Sequence, residues 1–198
     1  EVAAVQVAAP SMRGSAQVVY GNLNWSTVIQ GATPDYLEAR DWPLVGGRPL
    51  GPEDVDGATK VALVGQTTVQ NLFGDADPLG QIIRIRKVPF TVVGMLGRKG
   101  QSSWGQDQDD VILIPISTAK KKVLGVSQAN ARSVGAISIK IRAGEDMVEA
   151  EAQIRALLRQ RHRLQPYQDD DFWLRNLADV LQTQEESSRV MTYLLAAI

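Results

Sequence analysis

The chain has 198 residues, 44% of them hydrophobic and 22% charged, with a formal net charge of -1 and no cysteine. Such a chain is globular and able to bury a core, and it has no disulfides, thiolate nucleophiles or cysteine-rich zinc sites. The basic residues are spread out except at Lys120, Lys121 and Lys122 and at Arg159, Arg161 and Arg163, so neither nucleic acid nor an anionic membrane surface is expected as a partner.

Residues 2–9 are small and β-branched and read as a strand ending at Pro10, followed by the turn-rich "PSMRGS" and an extended pattern over 16–20. Gly21 and Asn22 stand where a tight turn belongs, and 27–30 reads as a further short strand. Thr33 ahead of Pro34 resembles an N-cap with proline at the first helical position, which makes "PDYLEARDW" a short helix. "PLVGGRPLGPEDVDGA" is dense in Gly and Pro and is expected to be a loop at a subdomain boundary. A buried strand over 60–64 and a helix over 66–73 follow, the latter broken by "GDADPLG". "QIIRIRKVPFTVVGML" alternates up to Lys87 and resumes after Pro89, the pattern of a two-stranded hairpin. Residues 110–115 give another strand, and Ser117 opens a helix running to about Leu124.

Ile137, Ile139 and Ile141 alternate in a half-buried strand over 136–142. The strongest helical period spans 146–163, where Met147, Ala150, Ile154, Leu157 and Leu158 recur at three- and four-residue steps. "QPYQDDD" ends it, 172–177 reads as extended, and 177–198 as a helix that turns fully apolar in "MTYLLAAI". That ending reads as a segment cut from something longer. No internal stretch reaches the roughly 18–20 apolar residues of a spanning helix, and the N-terminus lacks a signal-peptide pattern. These elements imply an α+β chain of two subdomains. One, over 1–40 and 135–198, is built from both chain ends; the other, over 41–134, is an inserted strand-rich unit.

No catalytic, cofactor-binding or metal-binding residues are assigned. The single histidine, His162, sits in the basic "RQRHR" helix end, where it complements the helix dipole, and "GQSSW" misses the nucleophile elbow because Trp104 stands in place of glycine. "VALVGQTTV" imitates a strand entering a phosphate loop but lacks the second Gly and the Lys. Asp107, Asp109 and Asp110 are followed by Val111 and Ile112 where a calcium loop needs oxygen ligands and glycine, so they read as the solvated approach to a strand. Asp169, Asp170 and Asp171 read as a turn. Trp25, Trp42 and Trp173 are expected in packing, whereas Trp104 sits in a polar, glycine-flanked loop and is a candidate contact anchor.

"VVYGNLNWSTVIQGATPDYLEARDWPLVGGRPL", "VALVGQTTVQNLFGDADPLGQIIRI", "PFTVVGMLGRKGQSSWGQDQDDVILIPISTA" and "IRALLRQRHRL", in that order, resemble the periplasmic core domain of the MacB family of ABC transporter permeases. The resemblance implies a porter-like α/β subdomain formed by both chain ends, with the strand-rich subdomain inserted. It further implies a periplasmic domain of an inner-membrane protein, a homodimer in the full-length transporter, a MacA-type periplasmic adaptor and a TolC-type outer-membrane channel. ATP and Mg would then be bound only by the full-length transporter's cytoplasmic domain, and this domain would transmit motion without chemistry of its own. Gln101, Ser102, Ser103, Trp104 and Gln106 are the candidate partner-binding residues. The alternative is an extracytoplasmic ligand-binding or sensing domain of a related permease, of the lipoprotein-release or peptide-resistance kind.

Overall fold

A computed structural model describes residues 2–102, 105–125 and 133–177. The chain divides into two compact units: one holds 5–100 and 107–140, and the other holds 1–4, 101–106 and 141–198. The boundaries expected at 40 and 134 do not coincide with this division, because the strands of 5–32 are hydrogen-bonded into the same sheet as the central strands.

Among the described residues the first unit has eight strands: β1 (Val5–Tyr20), β2 (Leu23–Ala32), β3 (Leu44–Gly47), β4 (Val61–Val64), β5 (Ile82–Ile85), β6 (Val88–Leu96), β7 (Val111–Pro115) and β8 (Ala136–Ile141). Six of them close a hydrogen-bonded ring, β1–β2–β7–β4–β6–β5 and back to β1, in which β2–β7 and β4–β6 are parallel and the other pairings antiparallel. β3 pairs with β6 outside the ring and β8 with β1. Closure leaves the ring strands no free edge where they pair. The short helices α1 (Tyr36–Ala39), α2 (Pro52–Asp56) and α3 (Gln66–Leu72) lie in the connections, and α4 (Ile116–Thr118) continues as a π-helical turn, Ala119–Val123.

β1 runs unbroken through the expected "PSMRGS" turn. Pro10 falls just before Ser11, the first residue in register with β2, so its missing N–H costs no bond to that strand. A side chain at Gly14 would meet Leu124 Cδ2 at 2.5 Å, so glycine serves close packing there and not a turn. Tyr20 pairs with Leu23 across a two-residue loop in which Gly21 has φ +57°, as a tight hairpin requires. The β5–β6 turn is tighter than expected. Ile85 pairs with Val88, leaving Arg86 and Lys87 at φ 46° and 70°, a left-handed pair built without glycine. Arg86 holds this turn by donating to Val123 O at 2.8 Å and Ser15 O at 3.2 Å.

β7 is buried along its whole length. Ile112 and Ile114 join the larger apolar cluster with Val18, Ile29 and Phe90, while Val111 and Leu113 join a second cluster with Trp42 and Leu96. An apolar run covered on both faces is what "VILIP" encodes. The segment expected as a loop after Pro43 contains β3 and α2. The α1 helix is shorter than expected and is capped at Asp35, with Thr33 contributing only its carbonyl, which accepts from Tyr36 N at 3.1 Å.

The strap from β3 to β4 is tied by Asp54, which is 2% exposed. Its carboxylate accepts from Arg48 at 2.6 and 3.2 Å, from Gly51 N at 2.9 Å and from Thr59 Oγ1 at 2.7 Å. The Arg48 hydrogen bonds lead in lowering the Asp54 pKa from 3.8 to about 2. A carboxyl depressed on folding stabilises the fold above its unfolded pKa, and that contribution is lost as pH falls through the folded value. Arg48 is half exposed, and with that screening Asp54 contributes about 1–2 kcal/mol at neutral pH. Urea unfolding of the parent and Asp54→Asn is therefore expected to show a stability gap at pH 7 that closes between about pH 4 and pH 2. A gap that widens on acidification would contradict this assignment.

In the second unit, α5 (Met147–His162) matches the expected helix. Asp146 caps it by accepting from Val148 N at 2.8 Å and Glu149 N at 3.2 Å, and Arg163 closes it at φ 58°. Ala150 and Ile154 are its buried face. Arg155 and Arg159 both donate to Asp170, and Arg159 also binds the carbonyls of Gln165 and Gln168 at 2.7 and 2.9 Å. Hydrogen bonding from Arg159, joined by Arg155, holds the Asp170 carboxyl below its usual range. The "QPYQDDD" turn is thus laced to the helix. Residues 172–176 form no strand, and the helix expected over 177–198 lies, beyond Leu177, outside the described residues.

Candidate functional site

The β6–β7 connection, residues 97–110, carries the candidate partner-binding residues, and its base is fixed by side chains from several elements of the first unit. Gly97 O accepts from Trp42 Nε1 at 2.7 Å, its N–H donates to Pro43 O at 2.7 Å, and Gln66 Nε2 holds Leu96 O at 2.7 Å. The Lys99 ammonium donates to Arg40 O and stands 5.3 Å from the Trp42 ring centroid. Burial, reinforced by the Arg40 charge, lowers the Lys99 pKa.

The three aspartates close this base. Asp109 accepts from Lys99 N at 2.7 Å and from Gly100 N at 3.0 Å, clamping the outgoing strand to the incoming one. Asp107 accepts from Thr67 Oγ1 at 2.6 Å through one oxygen and from Asp109 N at 2.8 Å through the other. Asp110 Oδ1 gathers three donors: Thr27 Oγ1 at 2.7 Å, Trp25 Nε1 at 2.9 Å and Thr68 Oγ1 at 3.2 Å. The expectation of a solvated acidic approach holds for the exposed Asp107 but not for the buried Asp109 or the half-buried Asp110. Asp109 is 6% exposed, and each carboxylate is occupied by donors of the fold. Among the described residues no three His, Cys, Asp or Glu side chains converge as metal ligands.

The glycine that looked like the start of a phosphate loop has a structural role. Gly65 is the N-cap of α3, and an added Cβ would lie 2.2 Å from Asp109 O. Its close approach lets Thr67 and Thr68, on the first turn of α3, reach Asp107 and Asp110. These threonines, with Gln66, Lys99 and Trp42, are the anchors that sequence reasoning missed. "GQTT" directly after a strand was the available signal, but its partners lie about 40 residues on.

At the loop's tip, Gln101 and Gln106 are exposed and Ser102 is half-buried. Ser102 N donates to Gln106 O at 2.7 Å, Gly105 N to Ser102 O at 2.8 Å, and Gln106 N to Ser102 Oγ at 3.2 Å. Gly100 and Gly105 take φ +73° and +72°. Ser103 and Trp104 lie outside the described residues. Of the other tryptophans, Trp42 is buried as expected, Trp25 is half-buried against Asp110, and Trp173 is 85% exposed instead of packed. His162 Nδ1 lies 2.7 Å from Asp171 Oδ1 and meets the Phe172 ring edge-on. That pairing joins the helix end to the following turn.

The MacB-like periplasmic core domain family matches residues 1–157. "Macrolide export ATP-binding/permease protein MacB" of Syntrophobacter fumaroxidans is 33% identical over an alignment that spans all of this chain and 34% of that protein. Among solved structures, the periplasmic region of MacB from Actinobacillus actinomycetemcomitans superposes with TM-score 0.74 at 26% identity, over 92% of this chain and 77% of that one. The extracellular domain of the noncanonic ABC-type transporter YknZ from Gram-positive bacteria shares the fold, with TM-score 0.66 at 16% identity over 83% of this chain and 80% of that one. The chain spans about a third of the length of the curated relatives it matches. A family match over most of the chain and a relative above 30% identity along all of it lead to one assignment: this chain belongs to the MacB-like periplasmic core domain family.

Proposed function

We propose that this domain is the periplasmic part of a MacB-type ABC efflux transporter, and that it binds a MacA-type adaptor and passes ATP-driven motion toward a TolC-type outer-membrane channel. ATP and Mg belong to the cytoplasmic domain of the full transporter, which works as a homodimer in an inner membrane. Family membership supports the transporter setting. The observation that carries the contact is the loop 97–110, whose base is held by Asp107, Asp109 and Asp110 and in which Gln101 and Gln106 are exposed. A fixed base lowers the ordering cost of binding, which favours its use as a contact element. In this reading the porter-like part is the one drawn from both chain ends, 1–40 and 135–198.

The test is adaptor binding to the full-length transporter. Trp104→Ala with Gln106→Ala is expected to weaken it roughly tenfold or more, the effect of removing an aromatic anchor. Unchanged affinity in the double variant would remove the tip from the contact.

A further inference from the structure

None of the eight strands contains an Asp or a Glu. The first unit's acidic residues stand in its connections, at 35–56, 75–77 and 107–110, whereas Arg13, Arg84 and Lys140 are on strands and Lys120, Lys121 and Lys122 on the π-helical turn. Basic residues far apart in sequence are brought together by the topology. Arg86 bonds to both Val123 O and Ser15 O, joining the end of the π-helical turn, the middle of β1 and the β5–β6 turn. Around that junction Arg13, Arg84, Arg86, Lys87, Lys121 and Lys122 are exposed or half-buried. None of the six forms an ion pair with a described carboxylate.

Like charges held together without counter-charges repel one another, and an acidic surface relieves that repulsion. Ile82, 60% exposed, lies on the same face of β5 as Arg84. One apolar side chain amid arginines matches the make-up of a protein contact, where Arg is enriched. Insertion into a bilayer scales with apolar area, and one isoleucine supplies little of it.

We propose that this cationic wall, centred on the Arg86 junction, is a docking surface for an acidic protein segment, distinct in composition from the polar tip of the 97–110 loop. Its contact is carboxylate to guanidinium and ammonium, so it weakens with salt.

The test titrates the full chain with fluorescently labelled poly-L-glutamate at low and physiological ionic strength. Parent protein is expected to bind, with affinity falling as salt rises. Lys121→Glu with Lys122→Glu is expected to bind at least about tenfold more weakly. Lys60→Glu with Arg98→Glu, an equal charge change at exposed positions away from the junction, is expected to leave binding within about twofold. Circular dichroism confirms folding, and Arg84→Glu replaces the double reversal if that variant does not fold. Equal losses in the patch and control variants, or no binding by the parent, would overturn the proposal. So would patch-dependent binding to phosphatidylglycerol vesicles without binding to poly-L-glutamate, which would assign the wall to a lipid surface.

Discussion

Asp110→Ala is expected to destabilise the fold by about 3 kcal/mol, the largest effect of any single polar substitution in the loop base. One carboxylate oxygen receives Thr27, Trp25 and Thr68, and two of those donors are buried, at 3% and 0% exposure. Without it, Thr68 retains only its 3.4 Å approaches to Thr27 and to Val111 O, and the Trp25 indole loses its acceptor. Hydrogen bonds to a charged group contribute about 1.5–3 kcal/mol each, but water reaches the half-buried carboxylate and the three are not additive. Asp110→Asn keeps an acceptor oxygen and is expected to cost about 1 kcal/mol. Urea denaturation separates the variants. An alanine variant within about 0.5 kcal/mol of the parent, the range of neutral surface changes, would show that the hub contributes nothing.

Gly65→Ala is the second large effect, at roughly 2–3 kcal/mol from overpacking against backbone. The new Cβ would sit 2.2 Å from Asp109 O and 3.1 Å from Val111 O. Neither carbonyl yields freely, because Gly65 N donates to Val111 O at 2.9 Å and Thr67 N to Asp109 O at 3.2 Å. Relief requires α3 to move off β7, which pulls Thr67 from Asp107 as well. Calorimetry should show a clear fall in Tm, and amide exchange at Gly100 should speed up as the Asp109 clamp loosens. An unchanged Tm would mean that the strand-to-helix passage has slack that these distances do not suggest.

Elements specified by local pattern were legible in the sequence: the α5 helix, α3, the β5–β6 hairpin and the β7 strand, although neither the Asp146 cap nor the two-sided burial of β7 was read from it. Local signals misled where long-range pairing prevailed. "PSMRGS" has turn composition, yet all of it after Pro10 is held extended by the first of ten consecutive pairings between β1 and β2. The Gly- and Pro-rich stretch after Pro43 hides β3 and α2 because each is short and takes its stability from β6 or Asp54. The aspartate loop was found by composition, but its chemistry was not. Whether a carboxylate faces water or binds Thr27, Trp25 and Thr68 depends on residues more than 40 positions away. Trp173 shows the converse, since an aromatic beside a predicted element carries no sign of which way it faces.

The closed ring also sets an order of events. The β1–β2 hairpin pairs neighbours in sequence, Tyr20 with Leu23, and can form as soon as those residues are available. Its outer partner is β7, where Val28 meets Val111, so the free side of β2 stays unsatisfied until most of the first unit has been made. During synthesis or export the hairpin therefore waits with an open apolar edge, a period in which capture by a chaperone or by another chain competes with closure. Substitutions that slow the arrival of β7 should then reduce the yield of folded protein more than they reduce the stability of the molecules that do fold.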